Sequence, residues 1–264
     1  MVKDVRLANK PFYFQYKVVE PKFQTEEVDQ SKIRVKLGFS GDPQVTANGV
    51  FEVYSGENLL KTLSADEVVK VSRESGKYRI QAGETNFMKS DFVRFVPKTN
   101  SILKIKNYEH RPSWNESLND NEYRGGLEVR EIDGQLIVIN ELYLEDYLKG
   151  LGEVSNSELT EKIKAIVVVA RTYAKYYIDI DQKFPGKPYN LDDNPDVSQK
   201  YLGYGFEKRA PNIVAAVEET KGKVVIYEGK LVKTPYFTQS AGGKTKSAQE
   251  VWGLTNTPWL VSVD

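Results

Sequence analysis

Two periodicities divide this chain and limit what it can fold into. From Lys32 to Pro97, short runs (IRVKLGF, GVFEVYSG, KYRIQAG, DFVRFVP) alternate apolar and polar residues and are broken by Gly, Pro and Asn. A period of two is the mark of half-buried strands. The longest helical period lies at 159–179, where Leu159, Ile163, Ile166, Val167, Ala170, Ala174 and Tyr177 recur at i, i+3, i+4. Val168 and Val169 make that stretch apolar nearly all round, which predicts a central helix. The expected fold class is therefore α+β: a β-rich first half, then strands packed around one helix.

The remaining segments fill in that plan. Residues 1–30 read as an arm or first strand, 31–110 as a β-rich module with SILKIKNY as a further strand, and 110–122 as a long polar loop. A second unit runs over 123–264. Its YRGGLEVREIDGQLIVINEL reads as two strands joined through Asp133-Gly134, a type I′ hairpin dipeptide. LYLEDYLKGL predicts a short helix, and Ser157 or Thr160 is placed to cap the central one. Residues 183–205 carry three Pro and three Gly without a period, and long ordered loops of that kind are often functional. PNIVAAVEETKG predicts a helix with Pro211 in its first turn and Gly222 past its end, followed by a hairpin turning at Glu228-Gly229.

Composition narrows the chemistry. The 264 residues include 37 Lys+Arg, 37 Asp+Glu, one His and no Cys. The absent cysteines exclude a disulfide framework, a thiolate zinc site and a cysteine nucleophile. A single His leaves little room for a Ser-His-Asp triad. A formal charge of zero argues against nucleic acid as a partner. No apolar run reaches the roughly 18 residues of a membrane span, and the opening MVKDVRLANK has no secretory h-region.

Glu153 falls between two predicted helices in KGLGEVSNSE, where a carboxyl beside apolar residues would have a raised pKa suited to a general acid. From the residues alone, Glu145, Asp146 and Glu158 are equally visible. Arg171, inside an apolar helix, must meet a carboxylate, carbonyls or a ligand anion. SAGGKT lacks P-loop spacing; Gly242 and Gly243 let a main chain approach a ligand, and Ser240 and Thr245 offer hydroxyls, or the segment is an ordinary tight turn. Tyr189, Tyr201, Tyr204, Tyr236, Trp252 and Trp259 suit sugar rings or a core. His110 reads as a surface residue.

Taken in order, YRGGLEVR, LIVINELYLEDYLKGL, GEVSNSE, KIKAIVVVARTYA, DVSQKYLGYG and YFTQSAGGKTKSAQEVWG resemble the SpoIID/LytB domain over about 123–264. Members of that family include peptidoglycan lytic transglycosylases of sporulation and enhancers of cell-wall amidases. In the family a Glu precedes the Arg of the ARTYA motif by 18 positions, as Glu153 precedes Arg171. The resemblance therefore implies that Glu153 is the catalytic acid. It implies that Arg171 holds the loop or a lactyl carboxylate, and that Gln199, Tyr201, Ser240, Gly242, Gly243 and Thr245 line a glycan groove. A family Gln in the helix is Ile166 here, and the Cys/His zinc ligands of some members are absent, so no metal and no cofactor is implied.

The implied partners are peptidoglycan glycan strands and, for the enhancer type, a cell-wall amidase, with action outside the cytoplasm at the cell envelope. The implied reaction cleaves the MurNAc–GlcNAc bond to leave 1,6-anhydro-MurNAc ends. The alternatives are a non-catalytic wall-binding module that enhances an amidase and a purely structural adhesion domain.

Overall fold

A computed structural model describes residues 5–7, 10–12, 30–237 and 242–263. Most of the arm expected over 1–30 lies outside the described residues. Its described part is a hairpin of β1 (Val5–Leu7) and β2 (Lys10–Phe12). The alternating runs form β3 (Lys32–Lys36), β4 (Gln44–Ala47), β5 (Phe51–Ser55), β6 (Asn58–Leu63), β7 (Val69–Glu74), β8 (Lys77–Ala82), β9 (Thr85–Lys89), β10 (Val93–Pro97) and β11 (Leu103–Ile105). Then come β12 (Glu122–Tyr123), β13 (Gly126–Ile132), β14 (Gln135–Tyr143), α1 (Leu144–Lys149) and α2 (Thr160–Asp179). The last elements are β15 (Leu191–Asp192), α3 (Tyr204–Arg209), α4 (Pro211–Glu219), β16 (Ile226–Tyr227), β17 (Lys230–Leu231) and α5 (Ala248–Trp252).

The mixed α+β architecture expected from the two periodicities is present. Alternate residues of the strands point inward, as in β8, where Tyr78, Ile80 and Ala82 are buried between exposed Lys77, Arg79 and Gln81. Seven strands pair in the order β15-β3-β14-β13-β10-β5-β6, and six in the order β12-β11-β4-β7-β8-β9. One hydrophobic cluster runs from Ile33 and Val35 on β3 through Val69 and Ile80 to Tyr147 on α1, Ile163 and Val167 on α2, and Ile213 on α4.

Three local expectations meet the structure differently. Asp133 and Gly134 take φ of 52° and 78°, so the type I′ turn between β13 and β14 forms as read. The helix over 160–179 forms, but neither Ser157 nor Thr160 caps it: Leu159 holds that position without a side-chain bond, and the Ser157 hydroxyl bonds that of Ser155. The division near 110–123 does not separate two sheets. β10 pairs with β13 across it, and β3 pairs with β14, so the first half and the second share one sheet and one core. Hydrophobic period marks strands but carries no information on which strands will pair.

No helix among the described residues is long and apolar enough to cross a membrane.

Candidate active site

Helix α1 ends at Gly150, and the chain there runs against residues 200–203. Gly152 N–H donates to the Lys200 carbonyl at 2.8 Å and Leu202 N–H to the Gly150 carbonyl at 2.9 Å, around an isolated bridge between Leu151 and Tyr201. A Cβ on Gly150 would meet the Tyr201 ring at 2.7 Å, which is why the approach needs glycine there. Glu153 follows directly. Its Oε1 accepts the Lys200 backbone N–H at 2.6 Å, so the carboxyl is pinned to the strand-like segment it has just left.

The loop beyond Glu153 is fixed from the other side. Asn156 Oδ1 accepts the N–H groups of Asn212 and Ile213 at 2.8 and 3.4 Å, capping the first turn of α4 from a distant part of the chain. Val154 is buried in the core.

A second support comes from behind. Tyr147 Oη donates to Gln199 Oε1 at 3.0 Å, and Gln199 Nε2 donates to Tyr236 Oη at 2.8 Å and to the Ala170 carbonyl. The Tyr236 hydroxyl, occupied as an acceptor, hydrogen-bonds the Glu153 carboxyl with its own proton. Burial pushes the Tyr236 phenol up, so it stays a donor. The Glu153 carboxyl is raised above the ordinary carboxylate range: its burial outweighs the Lys200 N–H, the Lys200 charge and the Tyr236 hydroxyl, all of which favour the ionised form.

Glu153 opens onto a cleft of about 590 Å³. It is lined by Gly152–Asn156, Lys200 and Leu202, by Phe206 and Arg209 of the α3 region, and by His110, Arg111, Pro112, Trp114 and Asp120. Asp120 is the other carboxyl at the cleft, but it is buried and gripped by Arg209 through two bonds of 2.6 and 2.7 Å.

The residues expected to join Glu153 are not gathered there as a group. Arg171 is 0% exposed. Its Nε and Nη2 fork onto Glu145 at 2.9 and 2.8 Å, Nη1 reaches Thr220 Oγ1 and the Lys223 carbonyl, and Nη2 also reaches the Val217 carbonyl. All five donors are engaged inside the protein, so the expectation of a substrate contact is corrected: Arg171 ties α1, α2 and the end of α4 together. Tyr201 is 1% exposed and donates to Asn140 Oδ1 at 2.8 Å; it packs beneath the site and lines no groove. Gln199 is buried one residue behind Glu153 and reaches it through Tyr236. Thr245 is bonded to Val263, in a short pairing of its segment with 262–263. Gly242 and Gly243 take φ of 89° and 73° with open space at the Cβ position. Ser240 lies outside the described residues.

Sequence reading missed the part of the cleft built by 110–120. The 110–122 loop looked merely polar, and His110, read as a surface residue, stacks on Tyr108 at 5.2 Å while lining the cleft. Proline, Asn and Asp at turn positions were the visible signal of an ordered loop. Its partner, Arg209, was 89 residues from Asp120 and gave none.

Residues 132–227 match the family model described as Stage II sporulation protein, SpoIID. The chain is 38% identical over 151 residues to an uncharacterized protein of Brachyspira hyodysenteriae, covering 56% of this chain and 39% of that one. It is 35% identical over 117 residues to the amidase enhancer of Bacillus subtilis, covering 44% of this chain and 14% of the relative. It is 25% identical over 136 residues to stage II sporulation protein D of the same organism, with 47% and 39% covered. The matched regions thus span about two-fifths or less of each of these curated relatives. The order of motifs and the named relatives agree with this match: residues 132–227 are similar to the SpoIID family.

Proposed function

We propose that the chain is a peptidoglycan lytic transglycosylase that uses Glu153 as its single acid and base. The observation that carries this reading is a half-buried carboxyl with raised pKa, held by a backbone N–H and a tyrosine hydroxyl, at the edge of a cleft whose other carboxyl is locked to an arginine. Hydrolytic glycosidases need two working carboxyl groups. A lytic transglycosylase needs one, because the C6 hydroxyl of the sugar is the nucleophile and is already tethered to the reacting carbon.

In this reaction Glu153 gives its proton to the glycosidic oxygen as the bond from C1 to that oxygen breaks. O6 then bonds to C1, and the proton it loses returns to Glu153, which is ready for the next cycle. Tyr236 and the Lys200 N–H stabilise the carboxylate in the interval between the two transfers. Gly242, Gly243, Ser240 and Thr245 remain proposed contacts to the glycan away from the reacting bond, and the place of action that follows from this substrate is the cell envelope.

The amidase-enhancer relative favours a second reading, a wall-binding module that stimulates an amidase. One assay separates the two. On glycan strands stripped of stem peptides, wild-type protein is expected to release 1,6-anhydro-MurNAc ends and Glu153→Gln to release at least about 10²-fold fewer, while both sediment equally with cell walls. Equal release by the variant removes Glu153 from the role of acid. No release by wild type, with sedimentation intact, selects the binding module.

A further inference from the structure

The cleft has a feature that neither the chemistry of Glu153 nor the matched family region uses. Trp114 lies outside residues 132–227, lines the same cleft as Glu153, and is 73% exposed. Tryptophan is ordinarily a largely buried residue. Here it occupies a central position of a tight turn, closed by Asn115 N–H on the Pro112 carbonyl at 3.0 Å.

The turn is held rigidly. Arg111 Nη1 donates to the Glu116 carbonyl at 2.7 Å, and Asn115 Oδ1 accepts from the Ser117 N–H and hydroxyl. At the loop's base, Asn119 bridges the His110 N–H and the Tyr108 carbonyl, and Asp120 is clamped by Arg209. An exposed indole on a braced loop is presented at low cost in conformational entropy.

The rest of the lining is equally particular. Around the cleft stand the ring of Phe206, the amide of Asn156, the hydroxyl of Ser155, the cation of Lys200, and Arg111, which is paired with Glu109. An apolar flat face surrounded by hydrogen-bonding groups and positive charge matches a pyranose ring with apolar axial faces, equatorial hydroxyls, an N-acyl group and a neighbouring carboxylate.

We infer that Trp114 is a sugar-stacking platform, forming with the polar groups of this cleft a binding position for one ring of a β-1,4-linked N-acetylhexosamine strand. It determines how the strand is held and takes no part in proton transfer. The inference rests on the glycan reading above and adds to it a substrate contact made by a segment outside the SpoIID match.

The test measures binding and cleavage separately on the full chain, with wild type, Trp114→Ala and Trp114→Phe. A soluble β-1,4-linked GlcNAc tetramer serves as binding probe by calorimetry, and peptide-free glycan strands serve as substrate. Trp114→Ala is expected to weaken tetramer binding and raise KM by about tenfold with kcat within about twofold, and Trp114→Phe to recover most of the loss. The ring is exposed, so both variants should unfold at the wild-type temperature. Unchanged binding and KM in Trp114→Ala, with wild-type cleavage normal, overturns the platform and leaves the transglycosylase reading standing. A wild type that binds the tetramer without cleaving, and loses that binding on Trp114→Ala, removes the transglycosylase and keeps the platform. A wild type that fails to bind the tetramer overturns the platform outright.

Discussion

Two glutamates lie at opposite ends of α1 and have opposite surroundings. Glu145, in the first turn, meets the buried guanidinium of Arg171 through a two-pronged contact and also accepts the Gly222 N–H. Glu153, just past the last turn, meets a backbone N–H and a tyrosine hydroxyl, with no ion-pair partner among the described residues. The first is an anion fixed in a structural joint. The second keeps a raised pKa because its burial is opposed only by neutral donors and a nearby lysine. A carboxyl becomes available for proton transfer here through the cation it lacks.

The largest break in that comparison is at the joint. Arg171→Met leaves Glu145 facing Thr220 and the end of α4 without its partner, and should lower the unfolding free energy in urea by about 3–5 kcal/mol. Replacing both partners with apolar residues should recover much of this loss, because neither charge is then stranded. Glu153→Gln should change stability by no more than about 1 kcal/mol in the same titration. A fall as large as that of Arg171→Met would show that Glu153 too is a structural anion.

Asp193 sharpens the comparison from another side. It is buried, accepts the Gly38 N–H at 2.9 Å, and burial with the neighbouring Asp192 raises its pKa from 3.8 to about 6, yet it does not line the cleft of Glu153. A raised folded-state pKa contributes stability below pH 3.8 that is lost as the pH rises through about 6. Asp193→Asn does not titrate, so its stability relative to wild type should improve by about 1–3 kcal/mol between pH 3.5 and pH 7, as ~1.4 kcal/mol accompanies each unit. Glycan cleavage by this variant should be unchanged. A loss of cleavage would mean that a raised carboxyl away from the cleft takes part in the reaction.

The smallest effect is expected at the neutral support. Tyr236→Phe removes a donor that favours the ionised Glu153, so the carboxyl rises further. Activity needs the protonated acid and falls as the pH rises through its pKa; the alkaline limb of the pH–rate profile should therefore move to higher pH, with kcat reduced only several-fold. A limb that moves to lower pH, or does not move, would remove Tyr236 as a partner of the reacting carboxyl.

Legibility in the sequence followed the range of the interactions. Alternating burial, the turns at Asp133-Gly134 and Glu228-Gly229, and the helix over 160–179 depend on neighbours within a few residues, and all could be read. Arg171 could be read as an arginine in need of a counter-charge, but not as one whose partner, Glu145, already lay 26 residues earlier and left no donor for a substrate. Glu153 emerged from motif spacing, since nothing in its own neighbourhood set it apart from Glu158. The part of the cleft built by 110–120 depends on an ion pair across 89 residues, and Tyr236, which meets Glu153, is held by a glutamine 37 residues before it; local pattern carries neither.

The sharing of β3 has a consequence for how the chain is made. Residues 32–36 pair with 139–143 on one edge and with 191–192 on the other. During synthesis from the N-terminus, that strand emerges more than 90 residues ahead of either partner. Until the β13–β14 hairpin arrives, its unpaired amides and carbonyls are open to other chains, and the long loop that must close makes this a slow step. A fragment cut to the bounds of the family match, which begins at residue 132, would leave the reverse problem, a β14 with both flanks bare. Soluble production should therefore follow the completeness of this sheet more closely than the extent of the family match.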